Sequence, residues 1–247
     1  MIVREQRDSI AILRLAHGKA NALDTELLTE LGREIDAVSG ARAVVLTGTG
    51  TIFSAGVDLF RILSGGRDYL DAFLPALSGA VCKLFALPIP VVAAANGHAI
   101  AGGCILVEAC DYRLMSGGRI GVPELLVGVP FPAAALEIAR FAVPPHHVQK
   151  VVYTGKTFTT DEALAHGFID EIVAPDMLLD RALEVASQFA AIPPESFALA
   201  KRTLRDGTIR RIDELSRTLD VEVNRAWNDP RIHDVIRAYL EKTVGKK

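Results

Sequence analysis

Cysteine, tryptophan and methionine are scarce in this chain: three Cys, one Trp and three Met in 247 residues. The cysteines, Cys82, Cys104 and Cys110, are odd in number, sit in apolar or helical contexts and make no CxxC spacing. That argues against a zinc ribbon, a dithiol redox pair and a disulfide scaffold, and the three read as reduced core thiols of a cytoplasmic protein. An excess of positive charge is missing as well. Twenty-seven Lys and Arg face 30 Asp and Glu, a formal net charge of −3 with no basic aromatic surface motif, so no nucleic-acid partner is expected. Long apolar runs are absent: the densest, Ile89 to Ala95, is broken by Pro90 and followed by Asn96, Gly97 and His98, far short of a membrane span. The opening "MIVREQRDSIAILRLA" alternates polar with apolar residues, unlike a signal or transit peptide. His17, His146, His147 and His233 show no metal-ligand spacing with acidic partners, and no Ser-His-Asp or Cys-His arrangement follows from spacing. No metal is therefore expected. "GTGTIFSAG" lacks the order GxGxxG and no GxxxxGK[ST] loop occurs, which argues against a dinucleotide or P-loop fold.

What is present is 50% apolar residues and 23% charged, enough for one large buried core with an appendage. Ser9 to Leu15 reads as a strand. A helix is predicted from about Asp24 to Val38, with Leu27, Leu28, Leu31, Ile35 and Val38 on its apolar face. "ARAVVLTG" and "IPVVAAANG" read as buried strands, and the stretch between them, Leu59 to Phe85, as mixed helix and loop around a flexible "SGGR". "DYRLMS" is a further strand and "GRIGVPEL" leads into a loop. Pro132 is placed as the first residue of the helix "PAAALEIARFA". "TTDEALAHG" has the form of a capping box, Thr159 with Glu162, closed by Gly167. From Pro175 onward the chain reads as nearly all helix, broken at Pro193 and Pro194 and again at Asp229 and Pro230.

Two glycine-bearing turns follow buried strands: "FSAGVDL" after "AVVLTG", and "IAGGC" after "VVAAANG". Brought together, the N–H groups of Val57 and Gly102 would stabilise the negative charge that develops on a carbonyl oxygen. Plain turns with close helix packing fit the isolated glycines equally well. Glu124, among Val122, Pro123, Leu125, Leu126 and Val127, is a candidate proton carrier whose pKa burial would raise; a surface glutamate after a proline is the alternative. Glu108 in "CILVEACD" reads as structural, bonded to a neighbouring loop or to Arg113. Asp58 would cap or brace its loop. His98 either donates a bond beside the glycine helix or is a satisfied structural imidazole.

Over essentially its full length the chain resembles the enoyl-CoA hydratase/isomerase family, the crotonases. "KANALDTELLTEL" looks like the family's first loop and helix, and "FSAGVDL" like its first oxyanion loop. "NGHAIAGGCILVEACDYRLM" looks like the second oxyanion loop with its helix, "GVPELLVGVPFPAAALEIAR" like the catalytic glutamate loop, and "YTGKTFTTDEALAHGFIDEIV" like the segment before the C-terminal helices. The resemblance implies an α/β fold: a ββα superhelix over residues 1–190 and a C-terminal helical region over 191–247. It implies a homotrimer or dimer of trimers acting on acyl-CoA thioesters in fatty-acid metabolism. No cofactor is held permanently; coenzyme A arrives as part of the substrate.

Residue by residue, the resemblance places Val57 and Gly102 as the two backbone oxyanion donors and Glu124 as the catalytic carboxylate. Lys19, Ala20 and Ala22 with Ser54 and Ala55 look like the adenine and pantetheine border, and Trp227 like an aromatic residue lining the CoA site. His98 and Ile105 would face the pocket. At Ile105 the chain departs from the family's hydratases, which carry a second glutamate there to help activate water. One remaining glutamate resembles the Δ3,Δ2-enoyl-CoA isomerase branch, with enoyl-CoA hydratase (a lyase) or a catalytically silent acyl-CoA-binding member as alternatives.

Overall fold

Alternate residues of "IAILRL" serve two different hydrophobic cores, and that division organises the molecule. The computed structural model describes residues 1–38 and 40–243. The last four residues expected in the C-terminal helical region lie outside the described ones. β1 (Ile2–Arg7) and β2 (Ile10–Leu15) form an antiparallel hairpin. After α1 (Thr25–Asp36) the chain makes repeated strand–strand–helix turns. β3 (Ala43–Gly48), β4 (Ile52–Ser54) and α2 (Leu59–Ala86) form the first. β5 (Val91–Ala95), β6 (His98–Ile100) and α3 (Gly102–Glu108) form the second. β7 (Tyr112–Met115) and β8 (Ile120–Gly121) lead to α4 (Glu124–Val127), α5 (Ala133–Ala142) and α6 (Pro145–Thr154). Each turn gives its first strand to a sheet ordered β1-β2-β3-β5-β7-β10 and its second to a sheet ordered β4-β6-β8-β9. The strands of successive turns pair in parallel, so the turns stack as the expected ββα superhelix.

Then follow β9 (Thr157–Phe158), α7 (Thr160–Ala165), β10 (Glu171–Ile172) and α8 (Leu178–Ala190). Ile10, Ile12, Ala43, Val45, Val92 and Ala94 point outward under α8, while Ala11, Leu13, Val44, Leu46 and Ala93 point inward to the larger core. With both faces covered, β3 and β5 read as unbroken apolar runs instead of alternating ones. The capping box is formed: Thr159 Oγ1 accepts from the Glu162 N–H and Glu162 accepts from the Thr159 N–H.

Three expectations are corrected. Leu59–Ala86 is helical throughout except for Gly66 (φ 67°), because Leu70, Phe73, Leu77, Val81 and Leu84 bury one face and carry the helix past the "SGG". That helix is long and apolar enough to cross a membrane, but its apolar face is taken by the core. Glu124 opens a short helical turn instead of lying in a loop. Pro132 (ψ 149°) stands just before α5 rather than in its first turn. β1, β4, β6 and β8 have no counterpart in the periodicity-based reading. They are short or exposed, with little apolar pattern of their own.

α9 (Pro194–Ser216), α10 (Leu219–Trp227) and α11 (Pro230–Thr243) complete the chain. Ile212, Val223 and Trp227 of their apolar stripe are covered by the chain's own core, while Leu219 is exposed. The attachment is also ionic. Asp111, at the start of β7, accepts from Lys201 Nζ at 2.6 Å and from an Arg205 guanidinium nitrogen at 2.8 Å, and its Oδ2 also accepts the Val91 N–H. Lys201 further donates to Ile89 O, and Arg205 to Phe85 O, Ala109 O and Cys110 O. Burial of Lys201 lowers its pKa to about 8, with Asp111 opposing. Two cations thus lean on one carboxylate. Asp111→Asn leaves them buried without a counter-charge and is expected to cost about 3–5 kcal/mol, read as a lowered urea midpoint at unchanged slope; a variant as stable as wild type would show that the backbone carbonyls alone satisfy the two cations.

Candidate active site

Segment 20–23 is laid against 55–58 by backbone bonds: Ala55 N–H to Ala20 O (2.9 Å), Leu23 N–H to Gly56 O (2.8 Å) and Asp58 N–H to Leu23 O (3.0 Å). Asn21, with φ 46°, directs its amide to Ile52 O and Phe53 O, and Ser54 Oγ donates to Asn21 O at 2.8 Å. Asp58 caps α2 by accepting from the Arg61 N–H at 3.0 Å. The Val57 N–H is left over. The second loop rests on this one so closely that a Cβ at Gly56 would lie 2.6 Å from Ile100 O, and one at Gly103 2.6 Å from Ser54 O. Side-chain-free residues are required at both places.

Between them, Ala101 takes φ 53°, ψ −124°, a backbone state that costs a non-glycine residue about 1–3 kcal/mol. Its N–H is held by Gly121 O (2.8 Å) and its carbonyl accepts from the Ile105 N–H (3.1 Å). The turn leaves Gly102 as the first residue of α3, where helix geometry gives its N–H no intrahelical acceptor. Among the described residues, neither the Val57 nor the Gly102 N–H donates to another protein group. Both residues line one cavity of about 70 Å³.

Glu124 lines the same cavity from α4, 9% exposed, and its Oε2 has no hydrogen-bond partner. Burial raises its pKa to about 8. It is the one carboxylate among the described lining residues. The rest of the wall is mostly apolar: Leu77 and Val81 from α2, Ile105 from α3, Val127, Val129 and Ala135 around α4 and α5, and Trp227 from α10, with the Ser78 and Tyr239 side chains as its hydroxyl-bearing members.

The other expected residues distribute as follows. Ala55 stands exposed in the cavity wall; Ser54 is wholly buried behind it and fastens the loops. Lys19 is exposed and Ala20 and Ala22 half-buried on the adjoining segment, outside the lining. Ile105 is in the wall, as expected. His98 is not. β6 directs it to the exposed side, where Nδ1 accepts the Arg119 N–H at 3.2 Å, because successive strand residues face opposite ways and Ala99 takes the inward position. The expected bond of Glu108 is also absent. Arg113 is turned to Asp170 (2.9 Å) and Gly167 O, leaving both Glu108 oxygens buried without partners. Burial, opposed by the Arg113 charge and reinforced by that of Glu124, puts the Glu108 pKa at about 8. Tyr239 was not foreseen. Its place on the apolar side of α11, with Ile232, Ile236 and Leu240, signals burial, but nothing in sequence joins it to Glu124.

The sequence model of a family described as enoyl-CoA hydratase/isomerase matches residues 5–245. Mitochondrial enoyl-CoA delta isomerase 1 of Mus musculus is 28% identical over 257 aligned positions, covering 100% of this chain and 88% of its own. The crystal structure of a probable enoyl-CoA hydratase, EchA3, from Mycobacterium tuberculosis superposes with a TM-score of 0.86 at 33% identity, covering 92% of this chain and 98% of the other. That of human mitochondrial delta3-delta2-enoyl-CoA isomerase gives 0.91 at 25% identity, covering 100% and 99%.

Glu108 generates a stability prediction. Its native pKa of about 8 lies above the unfolded value near 4.5, so the native chain holds an extra proton between those limits. Its contribution is complete below about pH 4.5 and is lost as pH rises toward 8. Glu108→Gln removes that loss, so the variant should gain on wild type between pH 5 and pH 8 by about 1–3 kcal/mol, measured by urea unfolding at both values. Parallel pH dependences would mean that Glu108 is ionised in the native state.

Proposed function

The chain belongs to the enoyl-CoA hydratase/isomerase family, and from that premise we propose that it converts 3-enoyl-CoA to 2-enoyl-CoA by proton transfer through Glu124 alone. The observation that carries the reading is the cavity wall: one carboxylate, two unengaged backbone N–H groups, and Ile105 where a second carboxylate would be needed to hold a water. An apolar side chain offers that water no bond and leaves it poorly solvated.

In this reading the thioester oxygen lies between the N–H groups of Val57 and Gly102. The Glu124 carboxylate takes the proton from C2, and the C2–H electron pair moves into the C1–C2 bond while the carbonyl electrons move to oxygen. The resulting dienolate is stabilised by the two donors, each worth about 2.7–4 kcal/mol in comparable sites. Protonated Glu124 then returns its proton at C4. The oxygen's pair re-forms the carbonyl, and the double bond stands between C2 and C3. No atom is gained or lost, and the base is regenerated. Lys19, Ala20 and Ala22 with Ala55 border the outer, coenzyme side in this reading, while Ser54, buried behind Ala55, only fastens the loop.

The raised pKa of Glu124 favours the first half of the cycle, since a carboxylate whose conjugate acid has a pKa of about 8 takes the C2 proton more readily than one at 4.5; in the second half the far more basic dienolate takes the proton back from either. Only the ionised form starts the cycle, so kcat/KM of the free enzyme should climb about tenfold per pH unit below about 8 and level off above it. Glu124→Gln should depress kcat by about 10²–10⁴-fold with KM for the thioester little changed. The assay offers 3-enoyl, 2-enoyl and 3-hydroxyacyl thioesters to both proteins and separates products by mass and retention. Isomerisation undiminished in the glutamine variant would remove Glu124 from the mechanism, and 3-hydroxyacyl product formed as fast as 2-enoyl would favour the hydratase reading.

We further infer a trimer or dimer of trimers in a reducing, cytoplasmic setting. Support comes from Leu199, Leu204 and Val221, 56%, 73% and 59% exposed on the C-terminal helices, and from three free cysteines. Sedimentation velocity at micromolar concentration should show no monomer; a monomer there would leave those side chains in water.

A further inference from the structure

The cavity wall is unevenly buried. Ala55 is exposed and Val57 and Leu59 half-buried. Val81, Ile105 and Trp227 are none of them more than 2% exposed. An acyl group that enters past the exposed residues and places its carbonyl oxygen at Val57 and Gly102 packs its tail among the buried ones, of which the Trp227 indole is the largest side chain. That indole is fixed. Its Nε1–H donates to Pro130 O at 3.0 Å, the Trp227 carbonyl accepts from His233 Nε2 at 2.8 Å, and Asn224 one turn earlier donates to Asp71 of α2 at 2.8 Å. A side chain held at both ends and by its own helix does not swing aside for a longer ligand.

The free volume of the whole cavity is about 70 Å³. That is roughly half of the ~150 Å³ in which a benzene ring is taken up, and so has room for about three or four carbon atoms. We propose that Trp227 is the end-stop of the acyl pocket and makes this chain selective for short acyl thioesters, of no more than about six acyl carbons. The inference rests on the acyl-CoA reading of the cavity given above. It moves Trp227 from the coenzyme border, where the sequence resemblance put it, to the far end of the acyl chain.

Each methylene buried in an apolar pocket tightens binding by about fourfold. The gain ends at the carbon that reaches the wall, because the next one either stays in water or must displace a buried indole. Chain-length dependence therefore locates the wall, and saturated thioesters report it without any reaction.

Calorimetric affinities of acetyl-, butyryl-, hexanoyl-, octanoyl- and dodecanoyl-CoA are measured on the wild-type protein, Trp227→Leu and Ala135→Leu. Wild type should gain about fourfold per methylene as far as hexanoyl and nothing beyond it. Trp227→Leu should move the break to octanoyl or longer. Ala135→Leu fills the same cavity without removing the indole and should move it back to butyryl; it carries the test if the tryptophan variant does not fold. Dodecanoyl-CoA binding wild type more than tenfold tighter than hexanoyl-CoA, or a break that neither folded variant moves, overturns the end-stop. The same proteins are assayed with hex-3-enoyl- and dodec-3-enoyl-CoA. A break in affinity with no isomerisation at any length leaves the end-stop standing and removes the isomerase reading, while fast isomerisation of both lengths with no break does the reverse.

Discussion

Everything in the site depends on how closely two loop backbones lie. The turn at Gly56 and the turn at Ala101–Gly103 belong to successive turns of the superhelix, and β4 and β6 bring them side by side. At that distance no Cβ fits at Gly56, nor at Gly103 over Ser54. The constraint decides what kind of catalyst the fold can present. Main-chain N–H groups are set by strand pairing, not by rotamers, so the two unengaged N–H groups are fixed before any ligand arrives and, in the proposed reading, need no reorganisation when charge develops. The strained conformation of Ala101 belongs to the same arrangement. Gly121 O and the first turn of α3 hold it in place, and the Gly102 N–H is thereby directed away from other protein acceptors.

The C-terminal helices supply what the superhelix lacks, a roof. They are attached by polar groups that reach backbone: Lys201 and Arg205 to Asp111 and to carbonyls of the core, Asp220 to the Ala133 N–H that opens α5, and Trp227 to Pro130 O. Such contacts fix orientation in a way that apolar packing alone does not. The consequence reaches Glu124. Its raised pKa is caused by burial, and the cavity it lines is completed by Tyr239 and Trp227, which arrive more than 100 residues later in the chain. Asp111 thus acts on the chemistry only through the position of the helices that close the cavity.

The sequence made the two glycine-bearing turns, the buried glutamate and the helical tail legible as structure, because each rests on a local signal: glycines after apolar strands, a glutamate in apolar company, helix punctuation by proline. What it could not show was direction. His98 and Ala99 are neighbours on a three-residue strand, and only the pairing of β6 with β4 and β8 decides which one faces inward. Glu108 lacks its expected partner for a similar reason: Arg113 is taken by Asp170, a competitor 57 residues away that no local pattern relates to it. The continuity of α2 through "SGG" is a tertiary effect too. Five large apolar side chains beyond Gly66 gain more from burial than the glycines lose in helix propensity of about 1 kcal/mol each. Tyr239 and the inner wall are the extreme case, since they exist only once α11 has folded back over α4.

Chemistry in such a cavity is limited by what its wall can solvate. Hydration brings a water to the double bond and must hold it through proton loss, which calls for more acceptors than one carboxylate provides. Isomerisation brings nothing. C2 and C4 are two bonds apart on one planar dienolate, so a single carboxyl on one face serves both without the ligand turning over. In the proposed reading the proton is held on Glu124 in between. Ile105 and the orphaned Oε2 of Glu124 are, in the proposed reading, two aspects of one arrangement: Ile105 offers water no bond, and the carboxylate oxygen is left without a protein partner. Burial also raises the carboxyl pKa, which in the proposed reading strengthens the carboxylate as the base that takes the C2 proton.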